Sequence, residues 1–370
     1  MRKVLFIFGT RPEAIKMAPV IRELRRRPDT FAVRVCVTAQ HRSLLDQVLE
    51  VFGIQPEYDL NCMLPGQSLA QSTSRILAAL EPVLRAEKPG VVLVQGDTTS
   101  TLCGALAAFY QGVAIGHVEA GLRTGDLRQP FPEEMNRVLT SRLAEMHFAA
   151  TEWAADNLRC EGIPADRIAV TGNTGIDAVL HVRDLLAAGK VKPPVSVPEA
   201  PPGRRLLLVT AHRRESFGPG FERICRALAA LADRPDVYIV YPVHPNPNVQ
   251  DPVNRHLCGR ANIHLIEPLD YISFVDLMRR AHILVTDSGG VQEEGPSLGK
   301  PILVLREKTE RPEAVKAGTV RLVGTDEESL RGEVERLLDD QDAYLSMTRV
   351  HNPYGDGHAS ERIAGLLSRG

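Results

Sequence analysis

The feature that most constrains this chain is the alternation of short, uninterrupted apolar runs with amphipathic stretches of helical period. Residues 4–8, 32–38, 91–95 and 114–118 are compact apolar runs ended by Gly or polar residues. A second set follows at residues 206–210, 237–243, 283–286 and 302–305, and helical patterns such as residues 69–84 and 221–231 lie between. A strand that is apolar at every position has no face to give to water and must be covered on both sides. Strands of that kind separated by helices predict parallel sheets in an α/β fold. The two sets are divided by KVKPPVSVPEAPPG at residues 190–203, too rich in proline for a central strand, which reads as a linker or a surface crossing. At 370 residues the chain is long for a single core. The expectation is two Rossmann-like, doubly wound domains facing each other across a cleft, with the chemistry in loops beyond the carboxyl ends of the strands.

Composition narrows the function classes. The net charge is −2, whereas binders of nucleic acid or membrane surfaces usually carry a basic excess, so no nucleic-acid or membrane partner is expected. No apolar stretch approaches the roughly 20 residues that span a bilayer, and the first apolar run ends at Gly9 without a secretory pattern. A soluble, cytoplasmic protein is expected. The six cysteines are scattered without a CxxC pair, which reads as reduced core thiols and not as a metal or disulfide framework. No GxGxxG follows a strand, so no nicotinamide cofactor is expected. The GxxxGK at residues 295–300 is one residue short of a phosphate-binding P-loop and runs into Pro301.

The loops after the strands carry the candidate chemistry. The first strand leads into Gly9-Thr10-Arg11-Pro12-Glu13, with Lys16 beyond and Pro19 suited to the first turn of a helix. Arg11 and Lys16 read either as surface cations or as a clamp for a diphosphate. Asp97, after the run 91–95, reads as a helix N-cap or as an acid–base group. Glu119 follows the run 114–118, and Glu133 stands four residues before Arg137, the spacing of a surface salt bridge. One such carboxylate would mean little, but three in consecutive loops suggest an acid–base cluster. In the second half, His212 follows a strand among cations. Ser288-Gly289-Gly290 between a strand and a helix lets backbone N–H groups approach an anion, with Glu294 and Arg311 nearby in sequence.

These stretches resemble the non-hydrolysing UDP-N-acetylglucosamine 2-epimerases. The resemblance is carried by FGTRPEAIKMAP (8–19), VTAQHR (37–42), GDTTST (96–101), GHVEAGLRTGD (116–126), PEEMNR (132–137), TGNTGID (171–177), AHRRESFG (211–218), VYPVH (240–244), TDSGGVQEE (286–294), TERPEAV (309–315) and NPYGDGHASERI (352–363). It spans essentially the whole chain in order. It implies an α/β fold of the two-domain glycosyltransferase-B type, with the terminal helix crossing back. Residues 1–171 plus 353–370 would form the sugar and acid–base side, and residues 172–352 the UDP side. By matching position, Arg11, Lys16, His212, Phe274, Ser288, Gly289, Gly290, Glu294 and Arg311 would hold UDP. Asp97, Glu119, Glu133 and Arg137 would surround the sugar.

The implied reaction inverts carbon 2 of UDP-N-acetylglucosamine through elimination of UDP to a 2-acetamidoglucal and its re-addition, giving UDP-N-acetylmannosamine. Asp97, Glu119 and Glu133 are the candidate proton carriers and His212 a donor to the leaving phosphate. The resemblance implies no cofactor, closure of the domains with residues 171–175 as a hinge, and a homodimer. It also implies a second, activating UDP-N-acetylglucosamine near Gln40, His41, Gln67, Arg213 and His244. Some relatives carry glutamine and arginine where this chain has Ser43 and Gly66. The rival readings are a hydrolysing epimerase that releases N-acetylmannosamine and UDP, a glycosyltransferase of the same fold, and a nucleotide-sugar-binding regulator.

Overall fold

The computed structural model describes residues 1–38, 42–64, 66–309, 311–349 and 351–369, with backbone alone for residues 42–44. The chain forms two compact units, Met1–Ala178 with Tyr354–Gly370, and Val179–Pro353.

The first unit is built on a fully parallel sheet of β1 (Arg2–Phe8), β2 (Phe31–Val37), β3 (Tyr58–Asp59), β4 (Val91–Gln95), β5 (Ala114–Ala120), β6 (Met146–Ala149) and β7 (Ile168–Val170). Their spatial order is β3-β2-β1-β4-β5-β6-β7. The central strands show why the sequence reads as it does: every residue of β4 is buried, as are the last five of β1. One face packs Leu5, Ile7, Val92, Val94 and Ile115 against Ile76, Leu80 and Leu84 of the helix Leu69–Glu87. The second unit repeats the plan with β8 (Arg205–Thr210), β9 (Val237–Pro242), β10 (Ile263–Ile266), β11 (Ile283–Thr286), β12 (Ile302–Val304) and β13 (Val320–Leu322), in the order β10-β9-β8-β11-β12-β13. Both sheets reverse their winding direction once, between β1 and β4 and between β8 and β11. A crevice opens at such a reversal beyond the strand ends, and ligands bind there.

Two local expectations are corrected. Pro19 lies inside the helix Arg11–Arg25, not in its first turn. The helix starts earlier because Thr10 caps it, Pro12 occupies its first turn, and Glu13 completes a reciprocal capping box with Thr10. The proline-rich run 190–203 is a surface crossing and not the junction of the units, which falls inside the helix Thr174–Ala187. Val195 N–H donates to Ser273 Oγ at 3.0 Å and Val197 is buried, so the run is fastened to the second unit. The cysteines are all free, but Cys160 and Cys258 are exposed and not core residues.

The C-terminal helix Ala359–Leu367 returns to the first unit and packs against the helix Arg11–Arg25. Its own N-cap residue, His358, provides no side-chain cap; Asp177 does so from far away in sequence. The Asp177 carboxylate accepts Ser360 N–H at 2.8 Å, Ala359 N–H at 3.2 Å and the Ser360 hydroxyl. Burial raises the Asp177 carboxyl above its ordinary range, and these hydrogen bonds oppose the rise. Asp177→Ala is expected to leave two amides and a hydroxyl without acceptors, costing about 2–4 kcal/mol. A lowered urea midpoint for the first unit checks this; an unchanged midpoint would show that the cap contributes nothing.

Candidate active site

In the first unit the candidate residues gather around the β1/β4 reversal. Gly9 follows β1, and a Cβ there would stand 2.1 Å from Thr38 Oγ1 and 2.4 Å from Ser100 Oγ, so only glycine lets the three segments meet. Arg11 and Lys16 lie on the helix Arg11–Arg25, five residues and hence about one and a half turns apart. Lys16 forms a largely buried ion pair with Glu119.

Glu119 is not in a loop beyond the strand: it is the sixth residue of β5. Its φ of 61° is left-handed, and the β5–β6 register shifts between Val118 and Ala120. It is therefore a bulge residue, turned out of the strand's alternation. Non-glycine residues held in this region cost about 1–3 kcal/mol and persist only where the surroundings over-determine them. Gly121 two residues on has φ 93°.

Asp97 is not the cap of the helix Thr99–Tyr110; Thr98 is. Relieved of that job, the Asp97 carboxylate stands 3.4 Å from Arg137 Nη2, and its backbone carbonyl accepts Asn136 Nδ2 at 2.9 Å. Arg137 is mostly buried and is placed between Asp97 and Glu134, whose carboxylate is 3.1 Å from Arg137 Nε. The i,i+4 pairing of Arg137 with Glu133 does not form, because the helical phase turns Glu134 inward and leaves Glu133 half-buried. Within this unit Lys16 thus meets Glu119 and Arg137 meets Asp97, while Glu133 stands at the start of the helix Glu133–Leu143.

In the second unit the β8/β11 reversal is closed by Asp287, which is fully buried. One carboxylate oxygen accepts the amides of His212 at 2.6 Å and Arg213 at 2.7 Å; the other lies 3.6 Å from His212 Nδ1. The His212 ring stacks on His244, with centroids 5.4 Å apart. Partial burial lowers the His212 imidazole below its ordinary range; Asp287 opposes this, and His244 and Arg213 add to it. Ser288 opens the helix Gly289–Glu294 without spending its side chain on a cap. The Arg311 guanidinium lies against Gly289, where a Cβ would come within 2.6 Å of its carbon, and Arg311 Nε donates to Glu293 at 2.7 Å. A cation is therefore fixed beside the first amides of a helix, an arrangement that favours an anion. Phe274 is half-buried on the helix Tyr271–Arg280, and Glu294 ends the helix Gly289–Glu294.

The residues expected to hold an activator divide. Gln40 and His41 lie outside the described residues. Gln67 is engaged within its own loop, accepting Leu64 N–H at 2.9 Å and donating to Cys62 O at 3.3 Å. Arg213 and His244 flank His212 in the second unit.

Sequence reasoning passed over the buried groups that hold these loops. Glu13 and Asp287 both lie inside the motifs quoted from the sequence, and for Glu13 the T-x-x-E spacing from Thr10 is the available signal. Glu134 accepts the amides of Thr124 at 2.9 Å and Gly125 at 3.1 Å. His117 is fully buried on β5 and its Nε2 meets Gly96 O at 2.8 Å, so it pins the residue before Asp97. Burial lowers its pKa to about 3, leaving it a neutral donor.

The family model described as UDP-N-acetylglucosamine 2-epimerase matches residues 22–368. The chain belongs to this family. It is 58% identical over 369 residues to the UDP-N-acetylglucosamine 2-epimerase of Escherichia coli strain K12, covering 99% of this chain and 98% of that one. Among solved structures it is similar to a UDP-GlcNAc 2-epimerase from Neisseria meningitidis bound to UDP-GlcNAc, with a TM-score of 0.88, 48% identity and 100% of both chains covered. The Methanocaldococcus jannaschii UDP-GlcNAc 2-epimerase, solved with UDP-GlcNAc and UDP, matches with a TM-score of 0.78 and 34% identity over 100% of both chains. The two Rossmann-like units are those of the glycosyltransferase-B type that the sequence led one to expect.

Proposed function

We propose that this chain interconverts UDP-N-acetylglucosamine and UDP-N-acetylmannosamine by inverting carbon 2 of the sugar, without hydrolysis. The observation that carries this reading is the full-length match to the epimerase family. The geometry supplies candidate roles. A carboxylate removes the carbon-2 proton, the C–H electron pair becomes the C1=C2 bond of a 2-acetamidoglucal, and the C1–O bond breaks to release UDP. Return of a proton to the opposite face of carbon 2 and of UDP to carbon 1 completes the inversion. The sequence of steps is redox-neutral and consumes no co-reactant.

Asp97, Glu119 and Glu133 are the proposed proton carriers. Arg137 beside Asp97 and Lys16 beside Glu119 fix two of these carboxylates in place. In the second unit, Arg311 with Ser288, Gly289 and Gly290 would stabilise the departing diphosphate, with His212 as its donor and Phe274 and Glu294 holding the nucleoside. Arg11 and Lys16, which belong to the first unit, are also proposed as UDP-binding cations. We further propose a cytoplasmic homodimer. Among the described residues no helix is long and apolar enough to cross a membrane, and the free thiols suit a reducing compartment. Arg213 and His244, adjacent to His212, are the proposed contacts for an activating substrate molecule.

Incubation with UDP-N-acetylglucosamine in D₂O, followed by proton NMR, tests the proposal. UDP-N-acetylmannosamine carrying deuterium at carbon 2, reaching a fixed ratio with substrate, is the expected result. Free N-acetylmannosamine with UDP would instead assign the hydrolysing reaction. An unchanged sugar would overturn the epimerase reading.

A further inference from the structure

Glu13 does more than cap a helix. Its carboxyl is buried, with about 1% of the residue exposed. One oxygen accepts Gly9 N–H at 3.1 Å and Thr10 N–H at 2.8 Å. A capping box accounts for the Thr10 amide. The other oxygen faces Thr98 Oγ1 at 2.8 Å and Thr101 Oγ1 at 3.1 Å, residues that begin the helix after β4 and have no part in capping the helix after β1. The carboxyl therefore spans the β1/β4 reversal, joining the Gly9–Thr10 loop that leads into Arg11 to the loop that carries Asp97.

Counting protons across this cluster gives its ionisation state. Each threonine hydroxyl has one proton. That of Thr98 serves Glu13, while Thr98 Oγ1 accepts Thr101 N–H at 3.1 Å. The Thr101 hydroxyl lies 2.6 Å from Gln95 O, the shorter of its two acceptor contacts. If its proton goes there, the 3.1 Å contact between Thr101 and Glu13 has none; if it goes to Glu13, the contact with Gln95 O has none. Thr98 Oγ1 also lies 3.1 Å from Thr101 Oγ1, so two hydroxyl protons serve four oxygen–oxygen contacts and an ionised Glu13 leaves two of them without a proton under any assignment. A protonated Glu13 supplies a third proton and leaves a single contact, Thr98 to Thr101, without one: one Glu13 oxygen accepts both amides, and the other accepts from Thr98 and donates to Thr101. Burial acts in the same direction, raising this carboxyl above its ordinary range against the hydrogen bonds that lower it.

We propose that Glu13 is a positioning residue which, as the neutral acid, locks the Gly9–Thr10 loop to the Asp97 loop and so holds the acid–base groups in register. The inference rests on the epimerase reading for its kinetic consequence. Glutamine at this position keeps an acceptor for the two amides and a donor for Thr101, and the Thr98 proton that its NH2 cannot accept has Thr101 Oγ1 at 3.1 Å to turn to. Aspartate, by contrast, is too short to span the reversal and alanine has neither group.

The test compares Glu13→Gln, Glu13→Asp and Glu13→Ala with the wild-type protein on UDP-N-acetylglucosamine, well below each variant's Tm, reading kcat, KM and carbon-2 deuterium incorporation. Glu13→Gln is expected within about threefold of wild type. A displacement of about 1 Å at reacting groups costs on the order of a hundredfold, so Glu13→Asp and Glu13→Ala are expected to lose about that in kcat and in deuterium incorporation. Their KM should change by less than about threefold. A lowered Tm with kcat intact in Glu13→Ala would reduce Glu13 to a helix cap and overturn the proposal. So would a Glu13→Gln variant as poor as Glu13→Ala, because the ionised form would then be required. A wild-type protein inactive on this substrate would defeat the epimerase reading alone. The clamp would then be read by hydrogen exchange at the Gly9 and Thr10 amides: slow in wild type and Glu13→Gln, fast in Glu13→Ala if the clamp exists, and equal in all three if it does not.

Discussion

Glu119→Gln is expected to lower kcat by about 10²–10⁴-fold with little change in KM, the loss typical when a positioned proton carrier is removed. The substitution is isosteric, so the bulge at the end of β5 and the left-handed backbone at residue 119 should survive it. The main structural effect is removal of the anion beside Lys16, which costs on the order of 1–3 kcal/mol for a buried charged hydrogen bond. Glu119→Gly separates the two roles. Glycine adopts this backbone conformation without strain, which offsets part of the lost ion pair, yet the proton carrier is gone. Both variants should therefore lose activity while the glycine variant keeps more of its Tm. If Glu119→Gln retained kcat within tenfold, proton transfer would pass to Asp97 or Glu133.

Gly121→Ala is expected to be among the most damaging single-methyl additions in the first unit. A Cβ at residue 121 would stand 2.1 Å from the backbone carbonyl oxygen of Ala154, an atom that no side-chain rotation can move aside. The residue also has φ 93°, which L side chains rarely adopt. Overpacking and backbone strain together should cost about 3–5 kcal/mol. Moving the loop to relieve the clash would break the 2.9 Å hydrogen bond from Asn157 Nδ2 to Gly121 O and shift Glu119, two residues away. The measurement is the unfolding midpoint together with kcat of whatever protein remains folded. A variant with wild-type Tm would show that the helix Glu152–Cys160 yields more easily than its backbone contact suggests.

The central strands β1, β4, β5, β8, β11 and β12 were legible because burial on both faces leaves an unbroken apolar run. The edge strands were not. β7 (IAV) and β13 (VRL) are three residues long and partly exposed, and β3 has only two residues, so none is long enough to show a period. The candidate loops were found by one rule, that chemistry follows strand ends, and Asp97 and His212 lie where it put them. Which of two adjacent carboxylates faces inward was a matter of helical phase: Glu133 was chosen, while Glu134 took Arg137 and the amides of Thr124 and Gly125. Glu13 and Asp287 were invisible as clamps because the partners on the far side of each reversal lie about 75 to 90 residues away in the chain. No local pattern encodes a carboxyl's distant donors.

The return of residues 354–370 to the first unit sets an order of assembly. The helix Ala359–Leu367 covers the helix Arg11–Arg25, and Arg2 Nη1 reaches back to Leu367 O at 2.9 Å. On a ribosome, residues 179–353 have been synthesised before any of this closing helix exists. The half begun first is therefore finished last: its apolar flank waits uncovered through the making of the whole second unit, and a nascent chain halted anywhere short of Leu367 leaves it incomplete.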